Sequence, residues 1–225
     1  MSAEERKTSI VKAAIPLFAE LGFKGTTTRK IADTANISEA LLYKHFPSKE
    51  ELYKSIQDSC FSVREDTLTK LYSIEDDTKG LIFCLYIFIR RSLKREYSEE
   101  QHLKIIDRLT IYSLLEDGEF AQTLKEKIWQ PWFNKAEACY HAAIASGDLK
   151  VKRKNSSHIW FVHHQIVSVL LLRLSPTEMI DYQASDDELI EDTLNFSLRG
   201  LGLKADFDYD INSLHSFYNE QFIAL

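Results

Sequence analysis

Residues 26–49 read TTTRKIADTANISEALLYKHFPSK, and this stretch decides the fold. Ile31, Ala32 and Ala35 give one apolar face, and Leu42 and Phe46 give another, at the three- and four-residue spacings of a helix. Between them, Ala35-Asn36-Ile37 is long enough only for a turn. Asn36 tolerates the left-handed conformation that ends a helix, and Ser38 is a good N-cap for the next one. Two short helices joined this way are the sequence form of a helix-turn-helix, whose second helix is shaped for the DNA major groove.

Outward from this stretch, Thr27 is the expected N-cap of the first short helix, with Thr26 and Thr28 on either side. A helix start capped in this way leaves backbone N–H groups facing out, a natural seat for a phosphate. Upstream, a helix is expected from Glu4 to Leu21, with Ile10, Ala14, Leu17, Phe18 and Leu21 on one side and Gly22 as its stop. Pro16 removes the bond to residue 12 and crowds that carbonyl, so a bend is expected there. Downstream, Ser48 and Glu51 stand at capping-box spacing and open a fourth helix. It carries Leu52, Tyr53, Ile56, Cys60, Phe61 and Val63, runs to about Leu71, and serves as a lever between two domains, 1–52 and 53–225.

A chain of 225 residues with 44% hydrophobic and 28% charged residues can bury a core and is not disordered. Glycine and proline are scarce, at seven and four, so the spans between them favour helix throughout. The net charge of −6 divides unevenly: residues 1–55 hold nine Lys/Arg against seven Asp/Glu, and the remainder nineteen against twenty-seven. Only the first segment suits phosphate, and its excess of +2 requires placed contacts, not a general basic cloud. Cys60, Cys84 and Cys139 are too scattered for a disulfide framework or a zinc motif, which fits a reducing cytoplasm. Charges interrupt every apolar run near the N-terminus, so no signal peptide is expected. The longest apolar block, Leu81–Ile89, is about half the roughly 20 residues a membrane span needs.

Residues 6 to about 54, centred on AAIPLFAELGFKGTTTRKIADTANISEALLYKHFPSKEELY, resemble the N-terminal domain of the TetR/AcrR-type transcriptional regulators. The Leu-Phe and Gly-Phe pairs, the threonines, Ile31-Ala32, Ser38, Leu42-Tyr43, His45-Phe46 and Ser48-Lys49 stand in register with that family. Two positions depart from it: Asn36, where Gly is common, and Pro16. The resemblance implies an all-α fold, a three-helix DNA-binding domain followed by a larger helical ligand-binding and dimerisation domain. It also implies phosphate-positioning roles for Tyr43, His45 and Lys49. By chemistry, Lys44 can donate to guanine O6 and N7, Glu39 can accept from cytosine N4, and Ala40 or Leu41 can lie against a thymine methyl. Arg29 can reach a phosphate or the groove edge, whereas Lys30 reads as a solvated residue. For Glu39, an exposed first-turn acid that favours the helix dipole is an equally good account.

One such helix covers too few base pairs to define an operator, so a homodimer on palindromic double-stranded DNA is expected. Residues 156–174 are apolar nearly all round and therefore expected to be buried on every side, in a large core or beneath a partner. The resemblance implies that, with 187–201, opened by a capping box at Ser185 and Glu188, they form the dimer surface as a four-helix bundle with their mates. The resemblance further implies a small-molecule effector, apolar or aromatic, in a pocket whose candidates are Tyr86, Tyr112, Trp129, Trp132, Phe133 and His164. Single aromatics at helical spacing are more often plain core. Adjacent His163 and His164 point about 100° apart and do not make a metal site. Neither a cofactor nor a membrane contact is expected. The tail after Gly202 reads as a short extra helix covering an apolar patch on its own or a partner subunit.

The expected function is a ligand-responsive repressor. The alternative is a DNA-binding structural or division protein governed by a protein partner. A helical enzyme is disfavoured, because the chain has no phosphate-binding glycine loop, HExxH pair or GxSxG turn.

Overall fold

The computed structural model describes residues 2–61, 65–94, 97–151 and 157–223. Its regular elements are helical, apart from one isolated antiparallel bridge between Leu149 and Leu203. In chain order they are α1 (Ala3–Gly25), α2 (Thr28–Thr34), α3 (Glu39–His45), α4 (Lys49–Cys60), α5 (Glu65–Tyr72) and α6 (Thr78–Leu93). There follow α7 (Tyr97–Leu115), α8 (Glu119–Leu124), α9 (Gln130–Ala145), α10 (Ser157–Arg173), α11 (Asp186–Leu201) and α12 (Ile211–Tyr218). The described residues pack into two compact units. One is drawn from Met1–Ser62 and Tyr97–Ile128, the other from Val63–Glu96 and Trp129–Leu225.

In the first unit α1 starts on a complete capping box, with the Ser2 hydroxyl accepting from the Glu5 N–H and the Glu5 carboxylate accepting from the Ser2 N–H. The bend expected at Pro16 is not found: the one interior residue of α1 outside helical φ/ψ is Gly22, at φ 71° and ψ 177°. Pro16 and Lys12 both face solvent, so the Lys12 carbonyl that loses its partner is free to bond water. The opposite side of α1 buries Ile10, Ala14 and Phe18 completely. It packs on α2, α3 and α4, which contribute the buried Ile31, Leu42, Leu52 and Ile56. Phe18 and Tyr53 close this core, their ring centroids 5.0 Å apart.

The turn between α2 and α3 is a Schellman ending. Asn36 takes φ 53°, the Ile37 N–H bonds the Ala32 carbonyl at 3.0 Å, and the Asn36 N–H bonds the Asp33 carbonyl at 3.1 Å. The fourth helix is shorter than expected. It ends at Cys60, where Phe61 leaves helical geometry (φ −113°, ψ 23°) and turns its ring onto Phe120 at 4.6 Å. Val63 lies outside the described residues.

In the second unit α6 is central and almost wholly buried, packed by α9, α10, α11 and α12. No described helix is long and apolar enough to cross a membrane. The long segment around Pro131 is not one regular helix. Residues Lys125–Trp129 form a π-helical turn, and Pro131 falls in the first turn of α9. There its missing N–H is one that no α-helical carbonyl needs. The tail folds on its own chain: Phe217 meets Phe83 at 4.6 Å, and the Tyr86 hydroxyl lies 3.1 Å from His215 Nδ1.

Within the single chain α10 is covered on one side. Ile159, Val162, His163, Ile166 and Val169 face inward, whereas Phe161, His164, Val167, Ser168 and Leu171 are exposed.

Candidate nucleic-acid interface and inner cavity

Local capping fixes the two short helices that would meet DNA. The Thr27 hydroxyl accepts from the Lys30 N–H at 3.2 Å, and the Ser38 hydroxyl accepts from the Leu41 N–H at 3.2 Å. Leu42 and Phe46 anchor α3 in the core, which leaves Ala40, Tyr43 and Lys44 exposed, with Leu41 and His45 half-buried. Tyr43 is 46% exposed, and its hydroxyl donates to Thr28 Oγ1 at 3.4 Å. Thr28 in turn donates to Glu39 Oε2 at 3.1 Å. This chain of three side chains ties the face of α3 to α2 and turns one Glu39 oxygen back toward the protein. Lys44 and His45 lie in the last turn of α3, where the Lys44 charge suits the helix dipole. Arg29 and Lys30 are exposed on α2.

Two residues expected at phosphates have other tasks. Thr26 is fully buried, its hydroxyl within hydrogen-bond reach of the Gly22 carbonyl at 2.8 Å and the Leu17 carbonyl at 3.1 Å. The Lys49 ammonium donates to the Phe23 carbonyl at 2.9 Å and the Thr26 carbonyl at 3.0 Å, and sits 4.2 Å from the Phe23 ring centroid. Lys49 thereby fastens the end of α1 to the start of α4, and Thr26 fastens the chain that enters α2 back onto α1. On α2 and α3 the exposed cations are Arg29, Lys30 and Lys44.

The end of α1 is also held from α7, which sequence reasoning missed. Arg108 Nε donates to the Ala19 carbonyl at 2.9 Å and the Tyr112 hydroxyl to the Glu20 carbonyl at 2.8 Å. The Glu116 carboxylate accepts from the Phe23 and Lys24 N–H groups at 3.2 and 3.3 Å. Together they satisfy the groups that a helix end leaves without partners. Tyr112, expected in a ligand pocket, is thus a strut of the first unit.

The remaining pocket candidates separate. Within the second unit Cys84, Phe88, Trp132, Phe133, Ile159 and Val162 surround a small apolar cavity. Tyr86 turns the other way, toward α12. His164 is exposed, and it is His163 that points inward. Trp129 lies against His163 with ring centroids 4.5 Å apart.

Burial, reinforced by the charge of His164, pushes His163 down to about 4. The folded value lies below the unfolded one, so between pH 6.5 and 4 the unfolded chain takes up a proton that the native one refuses. The native state should lose roughly 2–3 kcal/mol over that window. Urea unfolding at pH 7 and pH 4.5 should show a smaller loss in His163→Phe than in the native chain; equal losses contradict the assignment.

Comparison with known proteins decides what this geometry belongs to. Residues 10–56 match the family described as bacterial regulatory proteins, tetR family. The N-terminal segment of the chain is thus similar to the TetR family. A relative from Staphylococcus epidermidis, the biofilm operon icaADBC HTH-type negative transcriptional regulator IcaR, is 37% identical over 83 residues, covering 37% of this chain and 45% of that protein. The HTH-type transcriptional regulator RutR of Escherichia coli is 29% identical over 126 residues, 54% of this chain and 58% of RutR. The chain thus spans about half the length of these curated TetR-type relatives, which are named as regulators and not as enzymes. A TetR-family regulatory protein from Rhodococcus shares the fold over 91% of this chain and 100% of that one, with a TM-score of 0.61 and 18% identity.

Proposed function

We propose that this TetR-type chain is a homodimeric transcriptional repressor acting in the cytoplasm, binding a palindromic operator and released from it by a small apolar or aromatic molecule. The observation that carries the reading is the face of α3. Tyr43 and Lys44 stand exposed on a short helix whose other side is locked into a core and whose start is capped, as a groove-reading element needs. Tyr43 and His45 would position the helix on phosphates, and Lys44, with Ala40 and Leu41, would touch base edges. Arg29 and the start of α2 at Thr27 and Thr28 would meet the backbone nearby.

The dimer is supported by the outward stripe of α10, where Phe161, Val167 and Leu171 are exposed, and by Phe196 of α11, 69% exposed. Apolar side chains aligned on two neighbouring helices are poorly suited to water and well suited to a second copy. Sedimentation of Leu171→Glu/Phe196→Glu should give a monomer where the native chain gives a dimer; a native monomer, or a dimer unchanged by both charges, contradicts the proposal. Titrations against a genomic promoter fragment should lose affinity steeply between 50 and 200 mM salt, by an amount set by the number of phosphates contacted.

A further inference from the structure

Among the buried polar side chains of the second unit, His163 is one that reading DNA leaves without a task. His163 is 5% exposed, and among the described residues neither of its ring nitrogens has a hydrogen-bond partner. Its surroundings are rings. Trp129 lies at 4.5 Å between centroids, Phe133 at 5.5 Å, Trp160 at 5.7 Å and Phe88 at 5.9 Å. Burying a donor and an acceptor without partners costs the fold their desolvation, whereas a phenyl ring of similar size would fill the same place without that cost. Phe88 and Phe133 also line the adjoining cavity, along with Cys84, Trp132, Ile159 and Val162.

That cavity is about 10 Å³ as it stands, room for one water at most. A water needs two or more polar partners, and these walls are apolar. With its walls parted, this surround suits a molecule whose body is apolar and which brings a single polar atom to the imidazole. We infer that the aromatic cage around His163 is the recognition end of the effector site. It takes an uncharged, largely apolar small molecule through one hydroxyl or carbonyl group hydrogen-bonded to the His163 ring.

A neutral imidazole offers one donor and one acceptor, so either group is served. Entry requires parting Phe133 from Trp160, whose rings stack with centroids 4.1 Å apart, and that displacement is the means by which occupancy would change the packing of α9 on α10. The inference rests on the proposed ligand response for its biological meaning, and its test uses no DNA. Duplex binding that failed while probe binding succeeded would count against the repressor and leave this site standing.

The probes are 4-propylphenol and propylbenzene, alike but for the hydroxyl, titrated into the full chain and followed by tryptophan fluorescence. The native protein should bind the phenol about tenfold more tightly. His163→Leu should bind both within about twofold of each other, since the leucine offers the hydroxyl no hydrogen bond, and His163→Gln should keep part of the preference. In the native protein labelled with ¹⁵N-histidine, the phenol and not propylbenzene should shift the ring nitrogens of a single histidine, a readout that needs no variant to fold. No saturable binding of the phenol, an undiminished preference in a folded His163→Leu, or unmoved histidine resonances each overturn the inference.

Discussion

Replacing Tyr43 and Lys44 together by alanine should lower affinity for operator DNA by about 100-fold or more, at roughly 1–3 kcal/mol for each of the two side chains removed from the duplex. The fold should hardly notice. Both side chains are exposed, and what they give up within the protein is the 3.4 Å hydrogen bond from Tyr43 to Thr28. The two single variants should differ in kind. Tyr43→Phe removes a positioning hydroxyl and should weaken binding to every sequence alike, whereas Lys44→Ala should also relax the preference at one base pair. Anisotropy titrations of both variants against operator and scrambled duplexes, with circular dichroism to check folding, separate these effects. A double variant that binds DNA as the native chain does would remove α3 from the interface.

The second large effect is expected at Gly22. Its φ of 71° with ψ of 177° lies in a region essentially closed to residues with a side chain, at a cost of about 1–3 kcal/mol. A Cβ there would also stand 3.0 Å from Glu116 Oε1 and 3.0 Å from Tyr112 Cδ1. Relaxing the backbone is not an easy escape. The Gly22 carbonyl accepts from Thr26, and the next two N–H groups donate to Glu116, so a rotation would break bonds on both sides. Gly22→Ala should therefore destabilise the chain by about 3 kcal/mol, combining backbone strain with crowding of a packed site. It should also weaken DNA binding, because the same turn carries the carbonyls that Lys49 grips. Urea denaturation measures the first effect; a variant within about 0.5 kcal/mol of the native chain, the range of an inconsequential surface change, would contradict the account.

The helix-turn-helix was legible because its determinants are local. Asn36 ends one helix, Ser38 and Thr27 cap two, and Leu42 and Phe46 mark the buried face within a few residues of one another. The fates of Thr26 and Lys49 were not legible in the same way. Both are polar and next to capping positions, but where they point depends on carbonyls freed by the unusual turn at Gly22. Tyr112 was misread for a stronger version of the same reason, since its partner Glu20 stands 92 residues away in the chain, a pairing no local pattern encodes. His163 and His164 show a different limit. A helix apolar nearly all round hides its own phase, so the sequence does not say which of two neighbouring histidines turns inward. Once α10 is laid against α6 and α9, the buried Ile159, Val162 and Ile166 settle that phase. Pro131 stands in the first turn of α9, and the π-helical turn before it has no signature in the sequence.

The claim on which everything else depends is that α3 reads base sequence. Selection of binding sites from a random duplex library by the full chain measures this directly. The account predicts enrichment of an inverted repeat with half-sites roughly one helical turn apart, lost when Tyr43 and Lys44 are both alanine. No enriched sequence, or the same repeat recovered by the double variant, would contradict it.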